Sequence, residues 1–199
     1  ASDQALGIAK KNLADFDNCI FYHINTDALE SLNKTFDFGY SLGVLHHIPD
    51  TNKALTDSVS VLKEGAPFLL YLYFAFDNKP FWYRVFWKIS EPMRYMLSRT
   101  SFPARKSITA LIALFIYFPL SRLALIFDKL GIKFDNMPLS SYKDTSFYTM
   151  RTDALDRFGT RLEQRFTKKE ICSMMQNAGL TNIEFSKDIP YWTALGYKK

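Results

Sequence analysis

Two adjacent histidines, His46 and His47, follow a short apolar run that carries Ser41-Leu42-Gly43. A carboxylate, Asp27, stands in the turn-prone cluster Asn25-Thr26-Asp27. An imidazole takes or gives a proton near neutral pH. A carboxylate accepts a hydrogen bond from an amino group. A glycine at a turn lets the backbone approach a ligand closely. Side chains of adjacent histidines diverge, and no further His or Cys stands at ligand spacing, so no metal site is expected. His46 is the candidate general base; its other reading is a packing group that orients the turn. Asp27 likewise reads either as a ligand contact or as a helix N-cap.

The elements that must position these residues follow from periodicity. Residues 3–13 carry Ala5, Leu6, Ile8, Ala9 and Leu13 at helical spacing. Residues 19–24 read as a short strand, and residues 38–42 as a second one, apolar on both faces like a central parallel strand. A helix is expected from Asp50 or Thr51, with Leu55, Val59 and Leu62 on one face and Gly65 as its stop. Residues 67–74 form a third, very hydrophobic strand. Residues 77–166 show no strand signal and contain five prolines, each a helix start or break, which predicts a helical insertion. Thr167-Lys168-Lys169-Glu170 spells a capping box. Its helix carries Ile171, Met174, Met175 and Ala178 and stops at Gly179. Residues 181–186 and 191–197 read as two last strands joined by Asp188-Ile189-Pro190. Strand–helix alternation gives a parallel α/β sheet with a terminal antiparallel pair.

The segment Phe36-Asp37-Phe38-Gly39-Tyr40-Ser41-Leu42-Gly43-Val44-Leu45-His46-His47-Ile48-Pro49-Asp50 resembles the fourth-strand motif of class I S-adenosylmethionine-dependent methyltransferases. The order of the other elements over residues 1–76 and 166–199 is similar as well. The resemblance implies a Rossmann-like α/β fold with a helical insertion before the last helix and strand hairpin. It implies S-adenosylmethionine as cofactor. Asp27 and Ala28 would lie at the adenine, and Ser41, Leu42 and Gly43 would line the methionine end. The family's glycine-rich turn after the first strand has no counterpart, because no two glycines stand two residues apart. The ribose-binding acidic residue is not matched either. The chain is therefore expected to lack the first two strands of the sheet and to bind the cofactor weakly or not at all. The expected division is 1–76 as an incomplete core, 77–166 as a lid or substrate subdomain, and 167–199 as the completing helix and hairpin. The implied reaction is methyl transfer to a small or lipid-like acceptor, with an apolar or aromatic acceptor suited to the many Phe, Tyr and Trp. The alternatives are a non-catalytic fragment or binding module, and a peripheral membrane-associated protein.

Composition sets the outer bounds. With 48% apolar residues the chain is globular rather than disordered. The net charge of +5 is moderate, and the basic residues form no nucleic-acid motif, so nucleic acid is not an expected partner. Cys19 and Cys172 form no paired motif, which suggests buried thiols in a reducing compartment. Residues 1–13 lack the apolar core of a secretory signal, and a cytoplasmic location is expected. Residues 107–121 carry no charge. That run is shorter than the ~20 residues a spanning helix needs and is interrupted by Pro119. It is expected to close an apolar pocket as a lid, with shallow membrane contact as the other outcome. In that reading Phe115→Asp abolishes turnover or folding, and Lys106→Ala does little. The strand at 19–24 is expected to be a sheet edge that recruits a second copy of the chain. Arg157, Arg161 and Arg165, four apart, read as a solvated, salt-bridged surface.

Overall fold

The strand Pro67–Tyr71 (β2) has too many large apolar side chains to face water on either side, and the first unit of the protein is assembled on it. In the computed structural model, which describes residues 3–132, 137–188 and 190–199, the chain divides into two compact units. One is Ala1–Ala75 with Gln164–Lys199; the other is Phe76–Glu163. Ala1, Ser2 and Ile189, parts of the first expected helix and the last expected connection, lie outside the described residues.

The first unit is α/β. Helix α1 spans Asp3–Asn12, strand β1 Gly39–Leu42 and helix α2 Thr51–Ser60. After β2 come the unit's last helix, Lys168–Asn177, and two strands, Leu180–Phe185 and Ala194–Lys198. In chain order these two strands are β3 and β4. The sheet runs β1-β2-β4-β3. β2 pairs in parallel with β1, Leu42 opposite Tyr71, and antiparallel with β4, Leu70 opposite Ala194. The crossover between β1 and β2 is α2, as a parallel pair requires. Phe68 and Leu70 point into a core with Leu55, Val59 and Leu62 on one side and Ile171, Met174 and Met175 on the other.

Local chemistry explains the boundaries. The Asp50 side chain caps α2 by accepting from the Lys53 amide. The Thr167 and Glu170 capping box forms as its spacing requires. Helix α2 ends at Ser60, five residues before the expected stop at Gly65. Lys198 Nζ donates to the carbonyl oxygens of Ser60 (2.6 Å) and Leu62 (2.7 Å), so a cation satisfies the helix end where a glycine was expected. Gly65 has φ +75° and turns the chain toward β2.

Two further expectations are corrected. Residues 19–24 are not a strand; Ile20 and Tyr22 are exposed, and the segment pairs with no strand among the described residues. The edges of the sheet are β1 and β3, not this segment. β1 is accordingly not apolar-buried on both faces: Tyr40 is 67% exposed. Both cysteines are free thiols and only half-buried.

The second unit is helical. Helix α3 spans Phe81–Leu97, α4 Phe102–Ile112, α5 Phe118–Lys129 and α6 Phe147–Gly159, which makes the lone helix of the first unit's second segment α7. Leu97, Ile112, Ala113, Tyr117, Met150, Ala154 and Phe158 form its core. Arg105 donates to the carbonyls of Ser98 and Gly159, tying the ends of α3 and α6 together. Pro103 sits in the first turn of α4, where its missing N–H costs nothing. Pro92 lies inside α3 on its exposed side without ending it.

Pro119 does not end the apolar helix either. A π-turn at Ala113–Tyr117 joins α4 to α5, and the Phe118 amide donates to Ala113 five residues back. The widened turn takes up the carbonyl that a proline ring would otherwise strike. Phe102–Lys129 is thus one 28-residue helix, long and apolar enough to cross a membrane by length and composition, with 22% of its most apolar stretch buried. Phe115, where an aspartate was expected to abolish turnover or folding, is 70% exposed.

Met175→Ala removes a fully buried side chain and is expected to destabilise the first unit by about 2–5 kcal/mol. Thr167→Ala removes only a cap and should cost about 1 kcal/mol. Urea unfolding of the two variants checks the ranking.

Candidate active site

The amide of Gly43 donates to the Tyr71 carbonyl at 3.0 Å, so the turn after β1 is stitched to the end of β2. Gly43 has φ +70°, and a Cβ there would find no atom closer than 3.9 Å, in the Tyr71 ring. The glycine is required by the backbone angle, not by crowding. Two residues earlier the Ser41 side-chain oxygen is buried and has no hydrogen-bond partner. A buried hydroxyl without a partner is costly. Ser41 lies in the last turn-side residues of β1, a parallel strand, and open α/β sheets take ligands at the carboxyl ends of such strands. Leu42, the third residue of this group, has its side chain exposed.

Asp27 and Ala28 lie on a 3-10 turn, Thr26–Leu32, that contacts α2. Asp27 is exposed. Its charge is felt at Lys53, whose ammonium is held in its charged form chiefly by a hydrogen bond to Asp57, with Asp27 and Asp50 adding to it. Lys53 stands in the first turn of α2, so Asp27 flanks the helix start that follows β1. The turn carrying Asp27 thus packs on α2, the helix that follows the Ser41–Gly43 turn.

His46 is 0% exposed. Its ring stacks on Tyr73, centroids 3.9 Å apart, and lies 4.1 Å from that of His47. Sequence reasoning missed the groups that hold this turn. Gln164 donates through its amide to the His46 carbonyl at 3.1 Å. Its side-chain amide nitrogen lies 2.7 Å from the Ile48 carbonyl and 3.2 Å from the Thr51 hydroxyl. Arg165 donates to the Phe74 carbonyl and places its guanidinium 5.2 Å from the Tyr73 ring centre. The Phe166 amide donates to the Tyr73 carbonyl, and its carbonyl accepts from the Ala75 amide. Gln164 and Arg165 lie more than 90 residues from the groups they contact, and no local pattern marks them. Arg157, Arg161 and Arg165 are not one stripe. Helix α6 ends at Gly159. Arg157 lies within the helical unit, 5.0 Å from the Trp87 ring and 3.4 Å from the Tyr117 hydroxyl. Burial there raises the Tyr117 phenol above its usual range.

A strand–helix–strand crossover with a turn glycine and a buried hydroxyl at the strand end defines an open-sheet α/β protein, the class that takes ligands at its strand ends. Residues 1–70 match the family model described as a methyltransferase domain. Among solved structures, an O-methyltransferase family protein from Burkholderia thailandensis is similar, with TM-score 0.51 and 12% identity, over 97% of this chain and 40% of that one. A possible exported protein from Bordetella parapertussis is similar with TM-score 0.50 and 14% identity, over 99% of this chain and 51% of that one. The chain thus spans about half or less of the length of these structures. No curated protein sequence matches it. Residues 1–70 thus resemble a methyltransferase domain, and the likeness of the whole chain to these solved structures is one of fold.

Gly43→Ala is expected to cost about 1–2 kcal/mol through backbone strain alone, since the space is open. Gln164→Leu leaves the Ile48 carbonyl without that bond and should cost about 1–3 kcal/mol. Denaturant midpoints that fail to fall for both variants would contradict this account of the turn.

Proposed function

We propose that the site serves methyl transfer from S-adenosylmethionine to a small or lipid-like acceptor. The observation that carries this reading is the orphaned Ser41 hydroxyl beside the open turn at Gly43. A ligand polar group placed there would satisfy the hydroxyl, and the family resemblance assigns that place to the methionine end of the cofactor. Asp27 and Ala28 would lie at the adenine, the carboxylate accepting from its amino group. When bound, the cofactor supplies an already activated methyl group. The protein's own task is then to align the acceptor and exclude water, and positioning alone can contribute ~7–11 kcal/mol.

His46, stacked and buried, serves this reading as a positioning residue. It holds the turn against Tyr73, so that Gly43 keeps its left-handed backbone angle. A base is required only for an acceptor that must lose a proton, and His47, half-buried on the same turn, is the neighbouring imidazole.

No glycine-rich turn is present among the described residues, so this polypeptide should bind the cofactor weakly. Titration with S-adenosylhomocysteine, followed by amide chemical shifts, is expected to show millimolar rather than micromolar affinity, with shifts at Asp27, Ser41 and Gly43. Micromolar binding would show that the glycine turn is dispensable. Shifts confined to other residues would overturn the site assignment.

A further inference from the structure

The long helix of the helical unit exposes more large apolar side chains than it buries. Along Phe102–Lys129 most of the buried residues are small or hydroxylic, namely Thr109, Ala113, Ser121 and Ala124, with Ile112 and Tyr117 the two larger ones. The residues turned outward are Ile108, Leu111, Phe115, Phe118 and Ile126, all exposed. Their spacing puts them on one stripe of the 28-residue helix. A soluble helix does the opposite, burying its large apolar side chains. Helix α3 repeats the pattern, with Trp82, Phe86, Ile89, Met93 and Met96 exposed at i, i+4, i+7, i+11 and i+14. Apolar surface as continuous as this marks a contact with a partner.

Charge identifies the partner. Residues 76–163 hold 14 Lys and Arg against 8 Asp and Glu, whereas the rest of the chain holds 11 against 12. The excess positive charge of the protein is therefore carried by the unit with the apolar stripes. Exposed Lys106 and Lys129 stand at the two ends of the long stripe. Arginines sit on exposed rings, Arg99 at 3.4 Å from Tyr95 and Arg151 at 5.5 Å from Tyr148. Apolar stripes bordered by aromatic and cationic groups fit the boundary between acyl chains and anionic headgroups.

We infer that the helical unit, residues 76–163, docks on an anionic lipid surface, with the stripe of Phe102–Lys129 buried among the acyl chains and Lys106 and Lys129 at the headgroups. The helix lies in the interface and does not span it. The uncharged run between Lys106 and Arg122 is 15 residues. At 1.5 Å per residue that is about 22 Å, short of the ~30 Å hydrocarbon core. The opposite face of the helix is also committed to Met150, Ala154 and Phe158 of the unit's own core. This inference stands apart from methyl transfer, because it uses none of the residues at the strand ends.

Flotation with phosphatidylcholine vesicles, with and without phosphatidylglycerol, tests it on the whole chain. Binding is expected to need the anionic lipid and to weaken with salt. Tryptophan emission should shift to the blue on binding. The double variant Leu111→Asp/Phe115→Asp should bind about tenfold more weakly or worse, with unchanged circular dichroism, since each site loses a buried apolar side chain. If that variant unfolds, Ile108→Ser/Phe118→Ser provides the same comparison with milder changes. Lys106→Glu/Lys129→Glu should weaken binding to the anionic vesicles only. No flotation of the wild type overturns the inference, and so does equal binding to both vesicle types. A dimer in solution that the double variant converts to monomer, with vesicle binding unaltered, would assign the stripe to a second copy and also overturn it.

Discussion

The burial of β2 is the constraint on which the first unit depends. A strand that reads Pro-Phe-Leu-Leu-Tyr leaves neither edge nor inner face for water. One edge can be filled in parallel only across a crossover helix, which fixes α2 between β1 and β2. The other is filled antiparallel by β4, from the far end of the chain. Lys198 on that strand then reaches back to the carbonyls that end α2. Closing the sheet from both directions is also what brings Gly43 against Tyr71, and Gln164 against the turn at His46. The candidate site is a by-product of how the strand is buried.

Much of this unit was legible in the sequence because its signals are local. Thr167 and Glu170 are three apart, and a capping box is complete within one turn. Asp50 before an apolar face announced α2, and Gly179 marked the end of α7, with φ +89°. What failed depended on distant partners. The stop of α2 was misplaced because Lys198, nearly 140 residues away, does the work assigned to Gly65. Residues 19–24 have the composition of a strand, but composition supplies no neighbour to hydrogen-bond with. The site divided in the same way. Asp27, Ser41 and Gly43 were singled out by a resemblance carried in short local motifs, whereas Gln164 and Arg165 meet the turn only because of where the chain re-enters the sheet.

The helical unit was the least legible part, for an energetic reason. Its sequence is apolar enough that any face could have been inside. The choice was made by fit: Thr109 bonds to the Arg105 carbonyl at 2.9 Å and Ser121 to that of Phe118 at 2.8 Å. Hydroxyls satisfied by their own helix are inexpensive to bury. Small side chains also let helix backbones approach closely, the usual solution where lipid removes the advantage of burying large apolar groups. A single proline was read as a break because proline rules assume an α-helical carbonyl four residues back. The π-turn removes that premise.

A π-turn is, in counting terms, one residue more than an α-helix needs. Ala113–Tyr117 therefore acts as a phase shifter, setting the angular offset between the two halves of Phe102–Lys129. Removing any one residue from it would restore α-helical register, rotate everything beyond it by about 100° and return the carbonyl clash to Pro119. Ser121 and Ala124 would leave the core, and side chains too large for that space would turn inward. The proline consequently depends on the extra residue, which cannot be lost without mis-setting the other half of the helix.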